Sequence, residues 1–443
     1  MKDVRKDGPP WRLYCRSLGC RVNLADLATM IAGLDTRHFV ITDNLARADA
    51  ALLNTCTVTH RADRDVRKIL GSWQRRRPEL PVILSGCAVK NSADRLSGFA
   101  NVKAMLAAGT GAGDDLATIL SRLLGHEPAA AGAPDEEANS AYRRLGRSRA
   151  YLKIQDGCNA RCSYCIVSRL RGPERSLSPR QVITGVQRLF AAGHGEVVLC
   201  GIHLGRYGRQ QGTTLAQLLR DLDDVCRHQD RPARLRLSSI EPGEWTDELI
   251  EVIQDSEHIC RHFHVPMQSG DDEVLRTMAR PYRADQVERV LAGLRQAFPT
   301  ACLGSDLLVG FPGEGDAAFA RTRQLASRVG LDRWHVFPFS VRPGTPAAEF
   351  PGQLPDRTVR ARVAELRRLG QAAWQAFLQR APGRTLRVLL EKNTGDWLQG
   401  LSGEYLPVRV PTAPGLAPGT LVMTRALAAD NGVVSARLLE KVA

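Results

Sequence analysis

Three cysteines are spaced closely enough to bind one metal cluster. Cys158, Cys162 and Cys165 form a C-x3-C-x2-C pattern in the run Cys-Asn-Ala-Arg-Cys-Ser-Tyr-Cys. Three thiolates in one loop can bind three irons of a [4Fe-4S] cluster and leave the fourth iron open. S-adenosylmethionine needs such an open iron, because its amino and carboxylate groups chelate there before reduction yields a radical. A structural zinc site is the alternative, but it needs four ligands and no fourth Cys or His stands near this run.

Three further cysteines are far apart in sequence but occupy equivalent positions. Cys20, Cys56 and Cys87 each come just after an apolar run that is typical of a buried strand. The carboxyl ends of parallel strands meet along one edge of a sheet, where ligand sites form. We therefore expect these thiols to converge on a second cluster with one open iron. The alternative is that they are small buried residues, as unpaired cysteines often are.

The other five cysteines match no ligand spacing, and we expect them to be buried core thiols. They are Cys15, Cys200, Cys226, Cys260 and Cys302.

Alternating strand and helix patterns predict the elements that position the cysteines. Apolar runs at residues 11–18, 48–53 and 80–84 have helical patterns between them, which favours an α/β domain with a mainly parallel sheet. Residues 125–142 have no apolar periodicity and are predicted to be a linker. Six strand–helix units follow it, which predicts a partial (β/α)6 barrel with its chemistry at the carboxyl ends of the strands. The six candidate strands are residues 150–155, 196–202, 234–240, 262–266, 301–308 and 333–340.

The last part of the chain has a different pattern. Residues 356–380 are predicted to form one Arg-rich helix, and short β-like runs broken by Gly and Pro follow from about residue 384. This pattern is typical of a small β-barrel. The predicted architecture is α/β, with an N-terminal α/β sheet domain, a central partial barrel and a C-terminal small β-barrel. The predicted boundaries of these domains are 1–124, 143–380 and 381–443, with the linker between the first two.

Composition limits the class of protein. The chain has 443 residues, 43% hydrophobic, and a net charge of +14 from 61 Lys and Arg against 47 Asp and Glu. These values exclude a disordered or collagen-like chain. No run reaches about 18 apolar residues and the first residues are charged, which predicts no transmembrane helix, no secretory signal and a cytoplasmic location. Eleven cysteines then favour metal or catalytic thiols over disulfides. The charge is compatible with nucleic-acid binding and with a solvated surface alike.

The first triplet, at the end of the first barrel strand, resembles the loop of the radical S-adenosylmethionine superfamily, and Tyr164 before its last cysteine also fits. The resemblance implies contacts with S-adenosylmethionine from Tyr164 and from the barrel strands, although Tyr164 can equally be a packing residue. Simple helix capping is the alternative for Ser239 and Gln268. The candidate cofactor contacts in the barrel are Glu196, Ser239, Gln268, Asp306 and Arg342.

Three further motifs resemble the methylthiotransferases, and this resemblance covers nearly the whole chain. Residues 19–23 read Gly-Cys-Arg-Val-Asn, residues 54–59 read Asn-Thr-Cys-Thr-Val-Thr, and residues 85–87 read Ser-Gly-Cys. The resemblance implies that the second triplet binds an auxiliary [4Fe-4S] cluster whose open iron carries the sulfur to be inserted. It also implies that the C-terminal module is an RNA-binding β-barrel of the TRAM type.

Residues 21–22 and 57–59 are most similar to the branch that modifies threonylcarbamoyladenosine at position 37 of tRNA, next to the anticodon. Residues 237–242 (Leu-Ser-Ser-Ile-Glu-Pro) and 201–205 (Gly-Ile-His-Leu-Gly) fit that branch as well. The alternatives within the family are isopentenyladenosine in tRNA or a ribosomal protein. An RNA-binding iron–sulfur protein without turnover is the alternative outside it. The chain departs from the family after the first triplet, where the usual Pro is missing and Leu177 replaces a common Arg.

The resemblance implies three partners, namely the tRNA anticodon loop, a reducing electron donor and a sulfur donor. Basic residues next to the proposed clusters are candidates for RNA phosphates, and a solvated helix face or loop is the alternative. The candidates are Arg61, Arg64, Arg67 and Lys68 after Cys56, and Arg169 and Arg171 after Cys165.

Overall fold

The computed structural model describes residues 9–107, 112–125 and 141–441. Most of the predicted linker, residues 126–140, lies outside this range. The chain divides into two compact units. The N-terminal unit comprises Met1–Arg147, Asp156–Asn159 and Ile166–Pro173, and the C-terminal unit comprises Ser148–Gln155, Ala160–Cys165 and Glu174–Ala443. Among the described residues, no helix is both long and apolar enough to cross a membrane.

The N-terminal unit contains a five-stranded sheet in which every pairing is parallel, with strand order β2-β1-β3-β4-β5. The predicted α/β sheet is confirmed, but the sequence patterns indicated only β1, β3 and β4. The strands are β1 (Trp11–Ser17), β2 (Phe39–Thr42), β3 (Ala50–Thr55), β4 (Val82–Gly86) and β5 (Val102–Ala107). The helices of this unit are α1 (Arg21–Ala32), α2 (His60–Arg76), α3 (Cys87–Ser97), α4 (Ala112–Leu124), α5 (Ala141–Arg144) and α6 (Val167–Arg171).

Burial explains which of these strands the sequence reveals. All residues of β3 and β4 are buried, as expected for central strands of a parallel sheet that has helices on both faces. Helix α2 covers the sheet with Val66, Leu70 and Trp73. It begins at Thr59, whose Oγ1 accepts a hydrogen bond from the backbone N of Ala62 at 3.1 Å. The sequence therefore reveals the fully buried strands β3 and β4, and the Thr59 cap marks the start of the helix that follows β3.

The C-terminal unit begins with the predicted partial barrel, which is confirmed. Its six strands form two parallel sheets, β10-β9-β6 and β11-β12-β13, and a parallel bridge between Leu235 and Ile259 joins β10 to the segment before β11. The six strands are β6 (Ala150–Lys153), β9 (Glu196–Cys200), β10 (Arg234–Leu237), β11 (His262–His264), β12 (Cys302–Val309) and β13 (Arg333–Pro338). Two-residue strands lie at β7 (Gln155–Asp156) and β8 (Arg175–Ser176). We call the six-stranded structure the half-barrel.

Helices alternate with the strands of the half-barrel. The last of them, α13, confirms the single Arg-rich helix predicted for residues 356–380. The helices are α7 (Pro179–Ala191), α8 (Leu215–Arg227), α9 (Asp247–Asp255), α10 (Asp272–Thr277), α11 (Ala284–Ala297), α12 (Asp316–Arg328) and α13 (Asp356–Gln379). Short 3-10 turns occupy Leu45–Arg47, Leu204–Arg206, Arg209–Gln211, Pro242–Glu244 and Pro346–Ala348.

Five strands after α13 close into a small barrel with strand order β14-β15-β16-β18-β17. This C-terminal β-barrel was predicted, but the sequence patterns did not indicate β15 or β18. The strands are β14 (Thr385–Asn393), β15 (Trp397–Ser402), β16 (Pro407–Pro411), β17 (Leu421–Asp430) and β18 (Val433–Lys441). Its interior is filled by aliphatic side chains such as Leu386, Val388, Val408 and Val422.

A buried ionic network attaches the C-terminal β-barrel to the half-barrel. Arg234 and Arg236 lie two residues apart on β10, so both point to the same face of the sheet. Arg234 donates from Nη2 to the backbone O of Leu401 at 2.8 Å, and Arg236 donates to the backbone O atoms of Ser402 and Gly403 at 2.9 and 3.0 Å. The end of β15 is therefore bound directly by two charged side chains of the half-barrel.

Candidate metal centres

The structure brings together the three separated cysteines in the N-terminal unit. Cys20 precedes α1, Cys56 follows β3, and Cys87 is the first residue of α3 after β4. Strands β1, β3 and β4 are neighbours in the sheet, so the three residues share its carboxyl edge. The thiols of Cys20 and Cys87 are close enough to Cys56 to raise its pKa. Cys20 is exposed, whereas Cys56 and Cys87 are buried.

Gly19 allows the loop of Cys20 to approach Cys56. Its φ of +99° is rare for any residue with a side chain. A Cβ atom at this position would lie 2.7 Å from Cβ and 2.9 Å from Sγ of Cys56. Gly19 is therefore required for both its conformation and its lack of a side chain, and a larger residue would fill the space beside the thiol.

Amide and hydroxyl side chains hold the strand ends in this arrangement. Asn23 donates from Nδ2 to the backbone O atoms of Leu18 and Thr55, both at 2.9 Å. Asn54 donates to the backbone O of Asn23, and Thr55 donates to the backbone O of Ser85. Each cysteine-bearing loop is thus hydrogen-bonded to the next, which explains the Asn and Thr residues in the sequence motifs around Cys20 and Cys56.

Burial dominates the electrostatics of the thiols at this edge. Burial raises the pKa of Cys56 to about 11, and Cys20 and Cys87 raise it against the opposing effect of the backbone N–H of Val58. Burial also raises the pKa of Cys87. Thiols with raised pKa values stay neutral in the metal-free protein, whereas a bound metal ion stabilises their thiolate forms. Three converging sulfur donors suit an iron–sulfur cluster with one open iron.

Arg171 lies beside Cys87 rather than on an RNA-facing surface. Its side chain is 1% exposed, and Nη1 forms an ion pair with Asp26 at 2.7 Å. Nη2 donates to Oδ1 of Asn23 at 2.7 Å, and the guanidinium also hydrogen-bonds Cys87 and lowers its pKa against burial. The expectation that Arg171 binds RNA is therefore wrong, because the guanidinium is enclosed and both of its terminal nitrogens bind groups within the unit.

The other basic candidates of the N-terminal unit lie on its surface. The four from α2 are exposed on the face opposite Val66 and Leu70, and the fifth is exposed on α6. Arg61 forms one ion pair, with Asp65 at 3.9 Å. These five residues are Arg61, Arg64, Arg67, Lys68 and Arg169.

The first triplet, Cys158, Cys162 and Cys165, lies in the loop that follows β7. Cys158 belongs to the N-terminal unit, where its backbone N donates to the O of Gly172 at 3.0 Å. Cys162 and Cys165 belong to the C-terminal unit, and the backbone N of Cys165 donates to the O of Cys162 at 3.1 Å. Between them, Ser163 donates from Oγ to the backbone O of Thr277 at 2.8 Å, which ties this part of the loop to the end of α10.

Arg280 contacts a cysteine of this triplet. It donates from Nη1 to Sγ of Cys162 at 3.2 Å and from Nε to the hydroxyl of Tyr282 at 2.8 Å. Nη2 pairs with the carboxylate of Glu241, and the Arg280 side chain is 6% exposed. A single arginine after a short helix belongs to no spacing pattern, so no sequence signal pointed to it.

The predicted cofactor contacts occupy different environments. Tyr164 packs edge-on against Phe311, with the ring centroids 6.4 Å apart. Ser239 is exposed just after β10, whereas Arg342 is buried after β13. Gln268 has a positive φ of 61° and forms a parallel bridge with Leu307 of β12. The roles of these residues in binding S-adenosylmethionine remain predictions.

Asp306 lies on the same face of the half-barrel sheet as His264 and His335, and its carboxylate pairs with both histidines. Its Oδ1 lies 3.1 Å from Nε2 of His264 and 3.5 Å from Nδ1 of His335. Burial would raise the pKa of Asp306, but the two histidines lower it well below its usual range. These three side chains have the composition of a metal site. However, Arg333 donates from Nε to Nε2 of His335 at 3.3 Å, which leaves the ring proton on Nδ1 facing Asp306. A hydrogen-bonded relay is the better description.

The expected contact between Glu196 and S-adenosylmethionine is wrong. Glu196 opens β9 and so lies at the amino end of the strand, away from the carboxyl ends where barrel chemistry occurs. Its fully buried carboxylate binds Nε of Arg236 at 2.8 Å and Nη2 of Arg234 at 2.6 Å. Both oxygens are used in the network that attaches the C-terminal β-barrel.

The fold and the cysteine sites together define a radical S-adenosylmethionine protein. Residues 152–326 match the model described as Radical SAM superfamily, and residues 12–107 match the model described as Uncharacterized protein family UPF0004. The chain is 30% identical over 380 residues to threonylcarbamoyladenosine tRNA methylthiotransferase MtaB of Thermotoga maritima, with 85% of each chain covered. It is 32% identical over 388 residues to the MtaB of Bacillus subtilis (strain 168), covering 85% of this chain and 84% of the relative. The chain therefore belongs to the MtaB family of radical S-adenosylmethionine methylthiotransferases.

Solved structures share the fold at low identity. The radical S-adenosylmethionine methyltransferase TsrM of Kitasatospora setae, solved with tryptophan and an S-adenosylmethionine analogue, superposes with a TM-score of 0.56 at 14% identity. That superposition covers 76% of this chain and 75% of TsrM. The cobalamin-dependent S-adenosylmethionine radical enzyme OxsB superposes with a TM-score of 0.51 at 10% identity, covering 83% of this chain and 61% of OxsB.

Family membership confirms the predicted enzyme class and the predicted cofactors, S-adenosylmethionine and two [4Fe-4S] clusters. An RNA-binding iron–sulfur protein without turnover is thereby excluded.

Proposed function

We propose that the protein methylthiolates threonylcarbamoyladenosine next to the anticodon of tRNA in the cytoplasm. The single observation that carries this proposal is the convergence of Cys20, Cys56 and Cys87 at one sheet edge in a chain that belongs to the MtaB family. A second site that binds sulfur, in addition to the radical site, is what distinguishes sulfur insertion from other radical chemistry.

We assign the residues of the two sites as follows. The thiolates of Cys158, Cys162 and Cys165 hold the radical cluster, and residues 20, 56 and 87 hold the auxiliary cluster. When bound, the clusters and S-adenosylmethionine supply a 5′-deoxyadenosyl radical and a methylated sulfur. A reducing electron donor and a sulfur donor are the further partners of this reaction. The domain boundaries given above correspond to the auxiliary-cluster domain, the radical domain and the TRAM-like RNA-binding module.

The protein's own contribution at the auxiliary edge is to keep it rigid and accessible. The hydrogen bonds of Asn23 and Thr55 fix the loops, as described above. Cys20 is exposed and Val58, two residues after Cys56, is 42% exposed, so a base can approach the edge from solvent. Exposed residues at this edge are compatible with an RNA substrate.

Basic side chains next to this edge are suited to RNA phosphates. Helix α2 starts four residues after Cys56 and presents Arg64, Arg67 and Lys68 to solvent. Lys68 also lines a groove of about 720 Å³ together with Arg16 and other residues of β1 and α2. Phosphate contacts of this kind make affinity strongly dependent on salt. We expect the double variant Arg64→Glu, Lys68→Glu to weaken tRNA binding and reduce its salt dependence, whereas Arg289→Glu on α11 does neither.

The activity test uses the reconstituted protein with S-adenosylmethionine, a chemical reductant and tRNA that contains threonylcarbamoyladenosine. We expect 5′-deoxyadenosine together with the 2-methylthio nucleoside, identified by mass spectrometry after digestion of the tRNA. Methylthiolation of isopentenyladenosine alone, or of a ribosomal protein, would contradict the assigned substrate. Absence of 5′-deoxyadenosine would contradict the whole proposal.

A further inference from the structure

We propose that each cysteine triplet has its own buried positioning arginine, Arg171 for the auxiliary cluster and Arg280 for the radical cluster. The proposal rests on the proposed function for the assignment of the cysteines to two clusters. Each arginine contacts one thiol of one triplet, Cys87 and Cys162 respectively. Each is also held by a carboxylate, Asp26 at 2.7 Å for Arg171 and Glu241 for Arg280.

The surroundings of Arg171 fix its guanidinium next to the thiol. Asp26 and Asn23 from α1 bind one side, and Asp156 lies 3.4 Å from Nη1. The arginine ends α6, and α6 packs on the helix that Cys87 begins, through an apolar cluster of Cys87, Ile166 and Leu170. Lys90 of that helix donates from Nζ to the backbone O of Leu170 at 3.0 Å. The packing of α6 thus positions the backbone of Arg171, and the polar groups of α1 hold its guanidinium.

Arg280 is fixed by different groups but to the same effect. Its guanidinium stacks over the ring of Tyr282, 4.8 Å from the centroid, and Tyr282 in turn donates to the backbone O of Pro266 at 2.9 Å. Glu241, which follows β10, holds the other end of the guanidinium. The remaining donor, Nη1, faces Sγ of Cys162. Two unrelated sets of residues thus produce one arrangement, a carboxylate–arginine–thiol chain.

This arrangement has a chemical consequence for an iron–sulfur cluster. Thiolate ligands and reduced clusters carry negative charge, and N–H donors to sulfur together with nearby positive charge raise the reduction potential. Groups behind the ligands also orient them, and their loss typically lowers metal affinity or activity by about 10- to 100-fold. A lysine keeps the charge but not the planar set of donors, so it cannot replace arginine in both tasks.

The test measures each cluster in isolation. Variants Arg171→Met and Arg280→Met are each made in two background chains. One background has Cys158, Cys162 and Cys165 changed to Ala and retains only the auxiliary site. The other has Cys20, Cys56 and Cys87 changed to Ala and retains only the radical site. Iron and sulfide content and the midpoint potential, followed by electron paramagnetic resonance, are recorded for both. Arg362→Met is the matched control, because Arg362 is 8% exposed and pairs with Glu314 at 2.7 Å.

We expect Arg171→Met to lower the potential or occupancy of the auxiliary cluster alone, and Arg280→Met to do so for the radical cluster alone. In the chain with all six cysteines, Arg171→Met should retain formation of 5′-deoxyadenosine but lose about tenfold or more of the methylthio product. Arg280→Met should lose both the formation of 5′-deoxyadenosine and the methylthio product. Arg171→Lys and Arg280→Lys should give intermediate potentials, and Arg362→Met should change neither cluster.

Two results would overturn the proposal. One is unchanged potential and occupancy in both methionine variants, with the metal-free proteins unfolding at the same temperature as the parent. The other is that each methionine variant changes the potential or occupancy of both clusters equally, or that Arg362→Met changes either cluster. The arginines would then support the fold in general. Where a methionine variant does not fold, the potential and occupancy of the clusters in the lysine variant test the proposal instead. The iron, sulfide and potential measurements use no tRNA, so an incorrect substrate assignment leaves them unaffected.

Discussion

Arg236 donates from Nε to Oε1 of Glu196 at 2.8 Å, and neither side chain reaches solvent. Arg234, two residues away on β10, binds the other oxygen of the same carboxylate. The carboxylate thus binds two buried guanidiniums, with Arg149 4.0 Å away as a third, and the first two also bind backbone carbonyls at the end of β15. The pKa of Glu196 lies well below its usual range because these arginines outweigh the effect of burial.

The first prediction concerns Glu196→Gln. This change leaves two guanidiniums buried without their carboxylate, and breaking a buried ion pair in this way typically costs about 3–5 kcal/mol. We expect the free energy of unfolding of the C-terminal unit to fall by about that amount, measured by urea denaturation. Glu288→Gln, which removes the exposed partner of Arg328, should leave the denaturation midpoint nearly unchanged. A stable Glu196→Gln variant with weakened S-adenosylmethionine binding would restore the cofactor role that the structure contradicts.

The second prediction compares two glycines with positive φ. Gly19→Ala should reduce the iron bound at the auxiliary site, because the new Cβ would lie 2.7 Å from Cβ of Cys56. Gly146→Ala is the matched control, since Gly146 has a φ of +65° but no atom within 4 Å of the added Cβ. Iron analysis of both variants, in the chain that lacks the radical triplet, separates loss of space from backbone strain. Equal iron loss in the two variants would show that strain alone is responsible.

The third prediction separates the two clusters by a single thiol. Cys56→Ala should leave cleavage of S-adenosylmethionine intact and abolish sulfur insertion, because the auxiliary site keeps only two of its sulfur donors. Cys226→Ala, which changes a buried thiol of α8 instead, should retain both activities. The products are quantified as 5′-deoxyadenosine and the methylthio nucleoside. Continued methylthiolation by the Cys56 variant would show that this residue does not bind the auxiliary cluster.

The fourth prediction uses the reactivity of the thiols in the metal-free protein. Cys20 is exposed, so iodoacetamide should label it first. Cys226 and Cys302 are buried, and burial raises the pKa of Cys226 to about 12. Both should react only after denaturation, as mapped by mass spectrometry of tryptic peptides. Rapid labelling of Cys302 in the native protein would contradict the packing of β12.

Sequence patterns predicted the parts of the structure that depend on local spacing. The two triplets, the half-barrel and α13 were all visible in the order of residue types. Strands β2 and β15 were not, because β2 has four residues and β15 contains Gly400, whose added Cβ would meet the backbone of β14. Such strands depend on their neighbours in the sheet rather than on their own apolar pattern.

Charged residues show the limit of sequence interpretation more clearly. Arg171 was assigned to RNA and Glu196 to the cofactor because the sequence shows a charge but not its partner. The partners of Arg171 come from α1, α3 and β7, and Arg234 and Arg236, which bind Glu196, come from the next strand of the half-barrel. Only the folded chain brings these groups together, so a buried ion pair between distant elements is indistinguishable in sequence from a surface charge.

The network around Glu196 constrains how this protein can be recombined. A small closed barrel at the end of a chain is ordinarily a unit that evolution can exchange between proteins. Here, replacement of the residues after α13 would remove the carbonyl acceptors that Arg234 and Arg236 use. A replacement barrel therefore has to present backbone carbonyls to β10 at the end of its second strand, whatever its side chains are.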